Sequence, residues 1–309
     1  MAGHSIEVRD LTKVFGKFAA VDHVTFDVRR GEIFGFLGAN GAGKSTTIRM
    51  LCGLLGPTSG TATVGGFDLS SEPDRVKQRI GYMSQKFSLY EDLSVEENIS
   101  FFGGVYGLSR HSLREKMTWV LEMAGLKGRE RSLTRELSVG WKQRLALGCA
   151  ILHEPDIVFL DEPTGGVDPV SRRNFWELIN RLSGRGVTVF VTTHYLDEAE
   201  YCNDIRLIHA GRLVAGGSPR EMKRMYIRNP ILEVECDRVV EAMEMLQKEG
   251  WVLETSIFGI YLHVSVGDEA EGKAKVRRLL ETNGLSVRRL DRIAPSLEDV
   301  FIQRIEEEG

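Results

Sequence analysis

Cysteine is scarce and scattered in this 309-residue sequence: Cys52, Cys149, Cys202 and Cys236 form no Cys-x-x-Cys pair. That spacing fits neither a zinc site nor a disulfide framework and reads as buried thiols in a reducing cytosol. Long apolar runs are also missing. No stretch approaches the roughly 18 uninterrupted apolar residues of a spanning helix, so work at a membrane would require another chain to cross it. The opening MAGHSIEVRD lacks the apolar core of a signal peptide. Nor is there an excess of positive charge. With a net charge of −4 the chain has no global attraction for phosphate backbones, and nucleic acid is not an expected partner.

What is present is ordinary globular material, 42% apolar and 27% charged, in a chain long enough for two domains. Alternating apolar residues mark strands at Ile6–Val8, Val24–Val28 and Ile33–Leu37, and the last runs straight into glycines. Beyond Lys44, the residues Ile48, Leu51 and Leu55 share one helical face, which Gly56-Pro57 is expected to end. From Glu91 to Arg135 the periodicity is helical, opening at Ser94-Val95-Glu96-Glu97 with the elements of a capping box. This predicts a helical insert over about residues 86–136. The apolar runs Ile157–Leu160 and Val187–Thr192, each after a helical pattern, read as buried parallel strands with crossover helices.

Near Gly216-Gly217-Ser218-Pro219 the composition turns loop-like, and a boundary is expected there, between 1–220 and 221–309. Beyond it the patterns order as strand Ile231–Glu235, helix Arg238–Lys248, strands Trp251–Ser256 and Gly259–Ser265, helix Ala270–Thr282 and strand Leu285–Leu290. The predicted class is therefore α/β. A doubly wound core with a helical subdomain is followed by a small α+β domain of ferredoxin-like βαββαβ order.

The chemistry begins at Gly38-Ala39-Asn40-Gly41-Ala42-Gly43-Lys44-Ser45, which satisfies G-x-x-x-x-G-K-[ST] with a strand before it and a helix after it. Glycines let backbone N–H groups converge on phosphate oxygens. Lys44 would reach the β and γ phosphates of ATP, Ser45 would ligate Mg²⁺, and the helix that Thr46 continues adds its positive dipole end. The apolar strand Ile157–Leu160 delivers two carboxylates to the edge of the sheet. Asp161 suits the magnesium shell through water, and Glu162 is placed to polarise an attacking water as general base.

With these motifs in order, residues 5 to 220 resemble the ATPase subunits of ATP-binding cassette (ABC) transporters. Further positions gain roles through that resemblance alone. Gln85, in Gly81-Tyr82-Met83-Ser84-Gln85, matches the glutamine loop, whose glutamine joins the magnesium and water shell and senses the membrane partner. Leu137-Ser138-Val139-Gly140-Trp141 falls where the family has LSGGQ, so Ser138 and Gly140 would bind a γ-phosphate, while Val139 and Trp141 depart from the pattern. Asp168, in Gly165-Gly166-Val167-Asp168, matches the D-loop, and His194 the switch histidine. Phe15 stands near the place of the adenine-stacking aromatic, with Phe18 as the alternative.

The resemblance is finest with the drug-resistance type of exporter ATPase, through Leu137–Arg144, GVDP and the closing Ser296–Ile302. It implies two such chains head to tail with ATP between the Lys44 loop of one and Ser138 of the other. It also implies an integral membrane permease docked on the helical insert, and a cytoplasmic location on the inner face of the membrane. The rival expectations are a soluble cassette ATPase without a transport role and a nucleotide-responsive binding module with little turnover. The carboxy-terminal domain is expected to make dimer contacts or regulate, against a purely structural role.

Overall fold

The computed structural model describes residues 3–85 and 89–308; Lys86, Phe87 and Ser88, where the helical insert was expected to open, lie outside them. Two compact units divide the chain, Met1–Pro219 and Arg220–Gly309.

In the first unit, alternating burial makes β1 (His4–Phe15) and β2 (Phe18–Arg29) an antiparallel hairpin, closed at Gly16 with its φ of 61°. Strand β3 (Ile33–Leu37) is buried at all five positions, as a strand covered on both faces must be. It feeds the glycine loop and α1 (Lys44–Leu51). That helix ends a turn earlier than the sequence pattern suggested: Cys52 caps it and Gly53 takes φ 67°, so Leu55 packs on the core from outside the helix. Next come β4 (Ser59–Val64), β5 (Phe67–Asp68), α2 (Pro73–Arg79) and β6 (Ile80–Met83).

The helical segment holds α3 (Val95–Val105), α4 (Arg110–Ala124) and α5 (Val139–Ala150). The capping box forms at the start of α3: Ser94 Oγ accepts from the Glu97 amide, and the Glu97 carboxylate accepts from the Ser94 amide at 2.8 Å. Helices α4 and α5 approach closely because Gly148 has no side chain; a Cβ there would stand 2.5 Å from Val120. The chain continues through β7 (Ile157–Asp161), α6 (Pro169–Ser183), β8 (Thr188–Thr193), β9 (Asp204–His209) and β10 (Arg212–Gly217). Gly216 and Gly217, expected in a loop, instead complete β10, and α7 (Pro219–Tyr226) starts two residues later.

Two sheets result, ordered β2-β1-β4-β5 and β10-β9-β3-β8-β7-β6. In the second, β6, β7, β8, β3 and β9 run parallel and only β10 is antiparallel. Phe26 of β2 meets Phe34 and Phe36 of β3 and Phe190 of β8 at ring separations of 5.3, 5.5 and 6.0 Å, which locks the sheets face to face. The parallel strands β3, β7 and β8 therefore discharge their carboxyl ends at one edge. In an open parallel sheet that edge is where ligands bind.

The second unit contains β11 (Ile231–Cys236), α8 (Val239–Leu246), β12 (Val252–Phe258), β13 (Tyr261–Val266), α9 (Glu269–Thr282), β14 (Val287–Ile293) and α10 (Leu297–Glu308). Its sheet, β12-β13-β11-β14, is wholly antiparallel. That order is the ferredoxin-like one, with Leu232, Val234, Leu262 and Val264 packed against Leu246, Val276 and Leu280 of the helices. His263 Nδ1 and Asp299 Oδ1, 2.9 Å apart and both buried, tie the last helix to the sheet. Among the described residues no helix is long and apolar enough to cross a membrane.

Candidate functional site

The glycine loop is shaped by what a side chain would strike. A Cβ on Gly38 would stand 2.2 Å from the Ile208 carbonyl oxygen, and one on Gly43, at φ 110°, 2.4 Å from that of Ala20. Gly41 takes φ 83° in open space, so only its backbone conformation demands glycine. Lys44 is 4% exposed. Its ammonium donates to Gly38 O at 2.8 Å and Ala39 O at 3.1 Å, and lies 3.0 Å from Glu162 Oε1. These contacts hold the only charge of the loop at its centre.

Ser45, the next residue on α1, donates to Asp161 Oδ1 at 3.0 Å. Thr192, near the end of β8, donates to the same oxygen at 2.7 Å. Burial pushes the Asp161 carboxyl above the usual carboxylate range; the two hydroxyls and Lys44 oppose that shift and the charge of Glu162 adds to it. Glu162 closes the strand in a left-handed conformation, φ 48°, rare for a residue with a side chain. Its amide donates to Thr192 O and Oγ1, and its Oε2 accepts from Gln85 Nε2 at 3.0 Å and faces His194 Nδ1 at 3.2 Å. Lys44, Ser45, Gln85, Asp161, Glu162 and His194 therefore form one contact set, drawn from α1 and the carboxyl ends of β6, β7 and β8. Thr192 escaped the sequence reading; its signal was a hydroxyl at the buried end of a strand directly before Thr193-His194.

The other predicted residues lie elsewhere. Ser138 caps the start of α5 without a side-chain hydrogen bond to its own helix and is exposed, as is Val139. Gly140 is buried, and a Cβ on it would stand 2.8 Å from Ser171 Oγ in α6. Trp141 lies under the Arg129 guanidinium at 4.0 Å. Asp168 caps α6 through the Ser171 amide at 2.9 Å, a bond that holds its carboxyl below the usual range. Phe15 and Phe18 face each other at the hairpin tip, 50% and 63% exposed, with the Lys13 ammonium 5.3 Å above the Phe15 ring. Neither is a core residue, and exposure leaves both open as stacking surfaces.

A glycine loop gripping a buried lysine, with paired carboxylates at the end of the neighbouring strand, defines a P-loop nucleotide-binding ATPase. The chain belongs to the ABC transporter ATP-binding proteins. Residues 21–165 match the family described as "ABC transporter", and 217–305 the family described as "ATP-binding protein DrrA1-3-like, C-terminal domain". Over 96% of the chain it is 37% identical to the daunorubicin/doxorubicin resistance ATP-binding protein DrrA of Streptomyces peucetius, covering 91% of that protein. Also over 96%, it is 32% identical to the linearmycin resistance ATP-binding protein LnrL of Bacillus subtilis, covering 97%. The probable multidrug ABC transporter ATP-binding protein YbhF of Escherichia coli is 58% identical over 218 residues, 71% of this chain, but the match spans only 38% of YbhF. Among solved structures, an ATP-binding subunit of an ABC transporter aligns with TM-score 0.65 at 33% identity, over 72% of this chain and 92% of that one. The dimeric cassette MJ0796 bound to ADP and Pi aligns with TM-score 0.63 at 25% identity, over 69% and 98%.

Proposed function

We propose that this chain is the ATP-hydrolysing subunit of a drug-exporting ABC transporter, in which two copies close on ATP and drive a separate membrane-spanning permease. The observation that carries the reading is the contact set centred on Glu162, whose two carboxylate oxygens are divided between Lys44 and the pair Gln85 and His194.

Lys44 commits its donors to two loop carbonyls and Glu162. A triphosphate on the loop offers that ammonium a denser negative charge than one carboxylate does. As Lys44 turns to the β and γ phosphates, Glu162 Oε1 is released to accept a proton from a water in line with the γ phosphate. Gln85 meanwhile holds Oε2 by its carboxamide, with His194 Nδ1 beside the same oxygen. Residues 38–46 supply amides and the helix dipole to the phosphates. Ser45, Asp161 and, through Gln85, a carboxamide form an all-oxygen donor set with one buried carboxylate. Among the described residues no group of three or more His, Cys, Asp or Glu gathers to bind a metal, which suits Mg²⁺ held by few protein ligands together with phosphate. Bound there, Mg²⁺ would neutralise phosphate charge in the transition state.

The exposed Ser138 and the start of α5 are the complementary surface for the γ-phosphate of ATP on a second copy, and Asp168 lies at the neighbouring helix cap. The relatives named for drug or antibiotic resistance support the exporter reading, and in this reading the second unit makes dimer contacts or regulates. A permease partner places the chain at the inner face of the membrane. Two measurements test this together: steady-state ATP hydrolysis by the purified chain, and native purification from membranes. Turnover with a co-purifying integral membrane protein is expected. Absence of turnover would leave a binding module, and turnover without a membrane partner a soluble ATPase.

A further inference from the structure

Glu198 is the most completely enclosed carboxylate beside the site, 0% exposed, in a 3-10 turn (Glu198–Tyr201) that follows His194. Isolating a carboxylate from water is expensive unless it is paired and hydrogen-bonded. Its partners come from three different places. Thr164, two residues past Glu162 and itself buried, donates its hydroxyl to Glu198 Oε1 at 2.5 Å. Arg172, in the first turn of α6, places Nε 3.5 Å from the same oxygen, and its amide donates to Asp168 O. The Glu198 amide donates to Tyr195 O, and the Tyr195 ring lies under the Arg172 guanidinium at 4.2 Å.

The far oxygen, Oε2, and the indole N–H of the fully buried Trp176 in α6 make no hydrogen bond of normal geometry. Burial pushes the Glu198 carboxyl up, opposed by Thr164, by Thr193 and Trp176 at longer range, and by Arg172. A packing role alone would be met by an apolar side chain of the same volume. This site instead holds a costly group whose contacts run to Thr164, after Glu162, and to Arg172, after Asp168, while the segment after His194 joins through the Glu198 amide and the Tyr195 ring beneath Arg172.

We propose that Glu198 is a positioning residue of the ATPase centre: through Thr164, Arg172 and the Tyr195 backbone it holds the segments carrying Glu162, Asp168 and His194 in one register. The inference rests on the ATPase reading above. It requires that loss of the carboxylate disturbs the orientation of the hydrolytic groups and leaves the phosphate loop alone, because residues 38–46 take no part in the network.

The test is ATP hydrolysis and nucleotide affinity of the full chain carrying E198A, E198Q, T164V or E198A with T164V. For E198A, kcat is expected to fall about tenfold or more while KM and nucleotide affinity stay within about threefold, the signature of an interaction that matters in the transition state. E198Q keeps an acceptor for Thr164 and is expected to recover most of that loss. T164V is expected to lower kcat in the same direction, and the double variant to fall no further than E198A, as coupled partners do. Wild-type kcat in E198A, a parallel loss of kcat and affinity, or additive losses would each overturn the proposal. Should E198A fail to fold, T164V decides alone: wild-type kcat there overturns it. Hydrolysis that E162Q abolishes but E198A and T164V leave intact removes this inference only; absence of any E162Q-sensitive hydrolysis removes the ATPase reading with it.

Discussion

The two regions proposed to complete one nucleotide site are built on opposite plans. Around Lys44 the side chains are buried or half-buried and mutually bonded: Lys44 to Glu162, Ser45 to Asp161, Thr192 to Asp161. Around Ser138 the surface is open, and the serine side chain makes no hydrogen bond to the helix it caps. The first half is preorganised by the chain's own core; the second is presented outward. A site divided in this way has its ground-state geometry in one region and its means of completion in another, and substitutions should separate the two.

The largest expected effect is at Glu162. Glu162→Gln removes the base but keeps a hydrogen-bonding side chain, so kcat should drop by about two to four orders of magnitude while ATP still binds. Size-exclusion chromatography in ATP should then show an accumulated dimer; undiminished turnover would dissolve the contrast between the halves. Lys44→Ala should act on binding, weakening nucleotide affinity about ten- to a hundredfold by loss of a charge-assisted contact, as read by equilibrium titration. Ser138→Ala should do the reverse of Lys44→Ala. Affinity of the isolated chain should hold while turnover falls about tenfold, the worth of one hydrogen bond to a charged group. Equal loss in both measurements would mean that Ser138 serves its own chain.

Gly140→Ala should cost about 1–3 kcal/mol, because the new methyl must displace Ser171 Oγ from a packed position; thermal unfolding checks this. The smallest effect belongs to the second unit. Burial would raise the Asp299 carboxyl, but His263 and Ser296 outweigh it and hold it below its ordinary value. Its contribution to stability is therefore present above the unfolded pKa, about 3.9, and is lost as pH falls through the lower folded value. Asp299→Asn should remove that acid limb from the melting curve, and an unchanged pH dependence would argue against the pair.

Much of the architecture was legible because it rests on local rules. A strand running into glycines, the Ser94 and Glu97 box and the apolar runs at β7 and β8 each declare themselves within a few residues. The ferredoxin-like order did so as well, since each of its strands and helices carries its own period. What was not legible depends on distant partners. The early end of α1 is set by the left-handed Gly53, whereas the apolar period continues to Leu55. Gly216 and Gly217 look like a turn but pair along β9. In the site, motif spacing brought out Lys44, Asp161 and Glu162, yet nothing in it announced that Lys44 and Glu162 touch, that Thr192 bridges both carboxylate positions, or that Glu198 gathers three segments. Apart from the local turn from Tyr195 to Glu198, those contacts join residues far apart in the chain, Lys44 and Glu162 farthest, and only the packed sheet brings them together.

Gly140 has one more implication. It rests on Ser171, and the Ser171 amide is the group that Asp168 caps. The start of α5 and the cap of α6 are thus packed against each other, so that a tilt of one helix is passed to the other where Gly140 leaves room for Ser171. A second copy pressing on Ser138 would be felt at Asp168 in the same stroke, so spectroscopic probes on the two loops should report one transition, with one rate.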